Sequence, residues 1–150
     1  MPEIGRLAHL IEHIHKCQSH VSAIFPEDTD ETVTVSAGGT ANTFGAWAEL
    51  VDDQAVTLSS KFADNSGHIV AILIEVCSVT DKRYLLELAY GDDETVFVRN
   101  RFMKILTKMN VGHQKRVRSI EIPAGETIYY RLKCETASAT AEVHLRYYLD

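Results

Sequence analysis

The sequence is poor in cysteine and proline, with three of each among its 150 residues. Cys17, Cys77 and Cys134 form no Cys-x-x-Cys pair, and an odd number fits neither a closed disulfide framework nor the common zinc-site spacings. We therefore expect reduced thiols. The sequence also lacks an apolar run of about eighteen residues, which excludes a membrane-spanning helix.

Recognisable targeting and catalytic motifs are missing as well. Charged residues interrupt the first part of the chain, so it lacks the apolar stretch of a signal peptide. There is no Gly-x-Ser-x-Gly elbow and no glycine-rich phosphate loop. A net charge of -6 argues against nucleic acid as the main partner, because phosphate binding needs clustered lysine and arginine. We expect a non-enzymatic protein without a cofactor, made in a cytoplasm and bound to neither membrane nor nucleic acid.

The length and composition are those of one folded domain. A chain of 150 residues, 45% of them hydrophobic, is long enough to bury a core and too short to favour two domains. The patterning divides it into an amino-terminal helix or anchor (1–25), an acidic, glycine-containing hinge with a short strand (26–41) and a β-sandwich domain (42–150).

The anchor carries a narrow apolar stripe at helical spacing, formed by Ile4, Leu7, Ile11 and Ile14. This pattern predicts an α-helix over about residues 2–19, with the stripe as a contact surface. Such a short helix is marginal alone in water. It therefore docks on its own domain, on sister chains or on another partner.

The hinge begins with the acidic segment Glu27–Glu31, which is unsuited to a core. Thr32–Ser36 reads as a short strand, and Ala37–Thr40, with two glycines, as a flexible joint.

Beyond the hinge, the hydrophobic period changes to two, and short runs rich in β-branched and aromatic residues alternate with turn residues. No helix is predicted between them, so the fold class is mainly β: an antiparallel two-sheet sandwich, jelly-roll-like, with one amino-terminal helix. The predicted strands are Thr43–Val51, Ala55–Phe62, His68–Val79, Arg83–Tyr90, Thr95–Leu106, Lys115–Ile122, Thr127–Cys134 and Ala141–Leu149.

The last two predicted strands alternate most clearly. Tyr130 and Leu132 fall on the buried face of one, which turns Tyr129 outward, and the same alternation turns Tyr148 outward on the other. Outward tyrosines on a sandwich form either a protein interface or a sugar-stacking platform, and the interface is the more common outcome.

A basic stretch runs from Lys104 to Arg118 in this acidic chain. Strand alternation would place Arg116 and Arg118 on one solvent face. This patch could bind phosphate, but it suits an acidic protein surface better, and Glu27–Glu31 of a second copy is such a surface.

Two patterns raise the question of a metal. His9 and His13 are one helical turn apart, but a third ligand and the Glu of a His-Glu-x-x-His motif are missing. The acidic clusters Glu27–Glu31, Asp52-Asp53 and Asp92–Glu94 do not follow the EF-hand spacing. We interpret both as solvated surface and predict no metal site.

The carboxyl-terminal half resembles β-sandwich structural proteins of tailed bacteriophages. The resemblance is carried by a strand ending in Leu-Ala-Tyr-Gly (Leu88–Gly91), an arginine-phenylalanine strand (Val98–Phe102), an Ile-Pro-Ala-Gly turn (Ile122–Gly125), the strand after it (Ile128–Cys134) and a last strand ending in aromatics (Val143–Tyr148). The resemblance implies a virion protein with a jelly-roll-like body and no catalytic motif.

Within that class, the implied role is a capsid decoration or cement protein that binds the phage head and self-associates, with a trimer favoured because virion parts are repeated. A neck or tail component is the alternative within the virion, with the major capsid or a neck or tail protein as partner. A carbohydrate- or receptor-binding sandwich is the alternative outside the structural class.

Overall fold

The computed structural model describes residues 7–8, 22–105 and 108–150, and for 108–114 only the course of the backbone. Leu7 and Ala8 have helical backbone and are exposed, in keeping with the predicted helix. Ile4, Ile11 and Ile14 of the predicted contact stripe lie outside the described residues. Within the described ranges, no helix is long and apolar enough to cross a membrane.

Residues 22–105 and 108–150 contain nine strands and one helical turn. In chain order they are β1 (Ala23–Phe25), β2 (Val33–Ser36), β3 (Ala48–Glu49), α1 (Leu58–Lys61), β4 (Gly67–Cys77), β5 (Arg83–Tyr90), β6 (Thr95–Met103), β7 (Lys108–Arg116), β8 (Ile128–Cys134) and β9 (Thr140–Leu149).

These strands form two antiparallel sheets. In sheet A, β1 and β2 pair one after the other with the same edge of β9, and β4 and β7 follow on its other side. Sheet B has the order β3, β8, β5, β6. If β1 and β2 are counted as one interrupted strand, each sheet has four strands and the chain crosses between the sheets as in an eight-stranded jelly roll. The predicted fold class is confirmed.

The core lies between the sheets, where the inward positions of each strand are apolar. On β8, Ile128 and Leu132 are fully buried, and on β9 Leu145 is fully buried, as the alternation predicts. Tyr84 stacks on Phe102 at 5.0 Å between ring centroids and closes one end of this core. Burial of this apolar surface is the main source of the domain's stability.

Sheet A includes residues that the sequence assigned to the anchor and the hinge. β1 pairs with Leu145–Tyr147, and β2 pairs with Thr140–Val143. Phe25, Val33 and Val35 are fully buried. The short strand predicted in the hinge exists, and it belongs to the sandwich because its alternate side chains complete the core.

One predicted strand, Ala55–Phe62, is wrong. Its centre is the single helical turn α1, and the Thr57 hydroxyl oxygen accepts a hydrogen bond from the backbone N–H of Ser60 at 3.1 Å. The β-branched residues suggested a strand, but capping by the threonine side chain stabilises a helical turn instead.

The predicted strand Thr43–Val51 is also too long, since only Ala48–Glu49 forms a regular strand. Gly45 and Leu50 each donate one backbone hydrogen bond to β8, at 3.0 and 3.1 Å, so the rest of this segment follows β8 irregularly. The chain before it turns tightly at Gly38, where a Cβ atom would lie 2.6 Å from the carbonyl oxygen of Thr43, and this close approach requires glycine.

The strand predicted at Lys115–Ile122 is shifted, since β7 ends at Arg116. After it, the hydroxyl oxygen of Ser119 accepts a hydrogen bond from the N–H of Ile69 at 2.9 Å. A side chain thus replaces the backbone ladder there, and Arg118 lies outside the strand.

Candidate interaction surface

The outer face of sheet B carries a group of cations that we call the basic face. Alternation turns Leu86 and Leu132 into the core and leaves the intervening positions of β5, β6 and β8 outside. The members of the basic face are Arg83, Arg99, Arg101, Arg131 and Lys133.

Glu87 lies at the centre of the basic face, directly opposite Arg99 on β6 and Arg131 on β8. The Arg99 Nε donates to its Oε1 at 2.7 Å, and the Arg131 Nε and Nη2 lie 2.7 and 2.6 Å from its Oε2. Burial of the Glu87 side chain raises its pKa, but the hydrogen bonds and charges of the two arginines outweigh this effect and lower the pKa below its usual range. The carboxylate stays ionised and holds both guanidinium groups in place.

Arg131 also stacks on two aromatic rings. Its guanidinium carbon lies 4.3 Å from the ring centre of Phe44 and 4.4 Å from that of Trp47. The Lys133 Nζ lies 4.7 Å from the Phe44 ring centre. These are cation–π contacts. The segment that carries Phe44 is fixed by a hydrogen bond from the Gly45 N–H to the Leu132 carbonyl oxygen at 3.0 Å.

The basic face is shallow. A cleft of about 260 Å³ is lined by Arg83, Arg101, Lys133 and Glu135 among other residues. Glu135 accepts hydrogen bonds from the Arg83 N–H at 2.8 Å and the Arg83 Nη1 at 2.9 Å, which lower the pKa of the Glu135 carboxyl. Such a cleft suits a broad contact with another surface better than an enclosed small ligand.

The predicted interface residues are separated by the fold. Tyr129 lies on the outer side of sheet B, opposite Ala89 and half-buried. Tyr148 lies on β9 of sheet A, where it stacks on His68 at 5.0 Å. Because the two outer faces point in opposite directions, the two tyrosines do not form one platform.

Of the two predicted arginines, Arg118 lies near Tyr148. Arg116 is exposed at the end of β7, opposite Ala71. Arg118 is exposed and lines a cleft of about 440 Å³ together with His68, Ser119 and Tyr148. An interface role for these residues stays a prediction, and it competes with the basic face of sheet B for Glu27–Glu31 of a second copy.

Lys104, which the sequence placed in the same basic patch, is not on the surface. Its side chain is buried and its Nζ donates a hydrogen bond to the carbonyl oxygen of Glu75. Burial lowers the pKa of Lys104. Sequence proximity overstated this patch because Lys104 continues the inward alternation of Phe102, whereas Met103 and Ile105 on either side of it are exposed.

The acidic segment Glu27–Glu31 forms the loop between β1 and β2. Glu27 to Asp30 are exposed, and Glu27 pairs with Lys61 at 3.2 Å. Burial, and next the charge of Asp52, raise the pKa of Glu31. The chain therefore presents an acidic loop on one sheet and a basic face on the other.

One group of side chains among the described residues could hold a metal ion. His68, Glu121 and Asp150 each offer a ligand atom, and these atoms lie within 4.8 Å of one another. The sequence predicted no metal site, and these residues are too far apart in the chain for a motif search to connect them.

The two described cysteines do not resemble catalytic nucleophiles. Cys77 and Cys134 are buried in the core. Burial raises the pKa of Cys77 to about 11, so its thiol is protonated near neutral pH.

Comparison with known proteins gives few matches. No protein-family model and no curated protein matches this chain. Among solved structures, the infectious bursal disease virus VP2 subviral particle matches with a TM-score of 0.40 and 12% identity over 87% of this chain and 32% of that chain. The Gx strain of the same virus matches with a TM-score of 0.32 and 13% identity over 87% of this chain and 36% of that chain. The chain thus spans about a third of either structure's length, and at these TM-scores the likeness carries no conclusion on function.

Proposed function

We propose that this chain is a non-enzymatic structural protein of a virion that assembles with other proteins through the basic face of sheet B. Its place is the outer surface of a phage head, as a decoration or cement protein that also self-associates. The observation that carries this proposal is the pre-ordered cluster in which Glu87 and two aromatic rings hold Arg131.

The basic face has the chemistry of a protein-binding surface. Arginine and aromatic side chains are enriched at the centres of protein interfaces and among the residues that dominate binding energy. Arg131 is already held by Glu87, Phe44 and Trp47, so little side-chain freedom is lost on binding. The exposed Arg99 and Arg101 add positive charge that attracts an acidic partner.

The virion assignment draws on two further supports. The jelly roll is a recurrent fold of viral capsid proteins, although lectins and other proteins share it, so this support is an analogy of fold. The sequence resemblance to tailed-phage structural proteins points the same way.

A sugar-binding role is less favoured by the geometry. Arg131 covers one side of Phe44 and Trp47, and Tyr129 and Tyr148 lie on opposite sheets. Stacking on a sugar needs free ring faces gathered at one place.

For self-association, the acidic loop Glu27–Glu31 of one copy is the proposed partner of the basic face of the next. A contact between unlike patches is heterologous, and it closes into a ring when the rotation between copies allows it. We propose a trimer. Such a contact weakens as salt screens the charges.

The first test is the solution mass of the full chain by light scattering, with Arg101→Glu and Arg116→Glu as matched variants. Both arginines are exposed, but they lie on opposite sheets. We expect a trimer at low salt that Arg101→Glu dissociates and Arg116→Glu leaves intact. A monomeric wild-type chain, or dissociation by Arg116→Glu alone, contradicts the proposed contact.

The virion role is tested separately by mass spectrometry of purified particles of the virus that encodes the chain. We expect the chain in the particles in many copies. Its absence from them contradicts the proposal.

A further inference from the structure

Three side chains with metal-ligand chemistry meet at one end of sheet A. His68 is the second residue of β4, Glu121 lies between β7 and β8, and Asp150 follows β9. Their ligand atoms lie within 4.8 Å of one another, although the residues come from three separate segments.

Backbone hydrogen bonds fix all three segments. Gly67 and Ile122 exchange a pair of N–H to carbonyl bonds of 3.0 and 2.8 Å, and the Asp150 N–H donates to the Ser66 carbonyl oxygen at 2.8 Å. Gly67 also allows β9 to approach this segment closely, because a Cβ atom there would overlap with the Tyr148 carbonyl oxygen. The backbone of the three ligand segments is therefore held before any ion binds, which favours a tight site.

The His68 ring is oriented as a metal-binding histidine is. Its Nδ1 lies 3.3 Å from the Ser119 carbonyl oxygen, which can only accept a hydrogen bond, so Nδ1 carries the proton when the ring is neutral. Stacking on Tyr148 fixes the ring plane. The Nε2 lone pair then points toward Asp150, and a backbone carbonyl as partner of the other nitrogen is the usual outer-shell arrangement of histidine ligands.

The distance between His68 and Asp150 agrees with a small tetrahedral ion. The His68 Nε2 lies 3.5 Å from the Asp150 Oδ2. Two ligands of a tetrahedral zinc ion, with bonds of about 2.1 Å, are about 3.4 Å apart. The Glu121 carboxylate lies within 4.8 Å of the other two ligand atoms and would have to move closer to share an ion with them. Its side chain is exposed, so packing does not prevent this movement.

We propose that His68, Glu121 and Asp150 bind one zinc ion, with water as the fourth ligand. One imidazole nitrogen and two carboxylates form a set of intermediate hardness, which suits zinc, whereas calcium and magnesium prefer oxygen ligands alone. The ion would link the start of β4 to the segment between β7 and β8 and to the residue that follows β9. The proposal is independent of the basic face and of the proposed virion role.

The same sheet provides a natural control. His144 Nδ1 lies 3.0 Å from the Glu75 Oε1, which repeats the histidine–carboxylate pair without a third ligand among the described side chains. The amino-terminal His9 and His13 are a second control, because two histidines four residues apart in the sequence can bind zinc by themselves.

The test is calorimetric titration of zinc chloride into the full chain after removal of metal by EDTA. We expect one equivalent whose affinity falls more than about 100-fold in the double variant Glu121→Gln, Asp150→Asn, beyond the range typical of outer-shell changes. His144→Gln and the double variant His9→Gln, His13→Gln should both retain this equivalent. Circular dichroism spectra and melting temperatures without zinc establish that the variants fold.

A second readout separates the proposed site from adventitious zinc. Zinc should raise the melting temperature of the wild-type chain and leave that of the Glu121→Gln, Asp150→Asn variant unchanged, because an ion that binds only the folded state stabilises it. The proposal is overturned when the wild-type chain binds no zinc, when this variant binds it unchanged, or when only the His9→Gln, His13→Gln variant loses the equivalent.

Discussion

The outer faces of the two sheets cover the same core but differ in how their charges are held. On sheet B, Glu87 is buried between Arg99 and Arg131, and Arg131 stacks on two rings. On sheet A, the corresponding pairs are a histidine with a partly exposed carboxylate, His144 with Glu75 and His68 with Asp150.

The difference concerns which side chains keep a fixed charge and which can bind a metal. Arginine keeps its charge at all accessible pH values, so the basic face is a permanent cationic surface. Histidine is the commonest metal ligand. One face is therefore suited to constant electrostatic docking, and the other to a bound ion.

The largest expected difference between the faces is in stability. Replacing Glu87 with Gln leaves Arg99 and Arg131 without a counter-charge, and we expect a loss of about 2–3 kcal/mol in the free energy of unfolding. The loss stays below that of a fully buried pair because Arg99 is well exposed and regains water. Urea denaturation measures this value. The matched change on sheet A, Glu75→Gln, should cost less than about 0.5 kcal/mol. Equal losses in the two variants would contradict the comparison.

A smaller difference in stability is expected when one arginine on each sheet, Arg131 on sheet B and Arg146 on sheet A, is replaced by lysine. Arg131→Lys loses the two-nitrogen contact with Glu87 and weakens the stacking, which should cost about 1–2 kcal/mol. Trp47 is the single tryptophan of the chain, so its fluorescence should change as well. The Nε of Arg146 on sheet A has no hydrogen-bond partner among the described residues, and Arg146→Lys should change stability by less than about 0.5 kcal/mol. An unchanged Trp47 spectrum in Arg131→Lys would argue against the stacked geometry.

The smallest expected effect is on the pH dependence of stability. The folded-state pKa of Glu87 lies below its unfolded value, so its contribution is complete above the unfolded pKa and is lost as the pH falls through the folded pKa. In unfolding experiments from pH 7 to pH 3, wild type should therefore lose more stability than Glu87→Gln. Because only one carboxyl group differs between the two proteins, the difference should grow by at most about 1.4 kcal/mol per pH unit. Parallel curves for the two proteins would show that Glu87 titrates normally.

Much of the fold follows from local pattern. The strand β5 was predicted with its observed limits, and β8 and β9 to within one residue, since their alternation is nearly complete. The single turn α1 was missed because a threonine cap outweighs the strand preference of its neighbours. β1 was missed because three residues are too few to show a period.

The candidate sites were less predictable. The sequence turned Tyr129 outward correctly, but it gave no sign that Glu87 would meet Arg99 and Arg131, which lie 12 and 44 residues away. The sequence also placed Lys104 on the surface, although it continues the inward alternation of Phe102 and is buried. Residue type and strand period predict which face a side chain occupies, but not which strand lies beside it.

The sequence by itself determined the mainly β class, the sandwich and most of the core, because hydrophobic burial acts through a period of two that is visible along each strand. The tertiary structure alone decided strand order, and with it the two functional candidates. Glu87 and its arginines, like His68, Glu121 and Asp150, are neighbours only because the jelly roll brings distant strands side by side. Contacts of this kind depend on pairing between strands, and no local pattern records them.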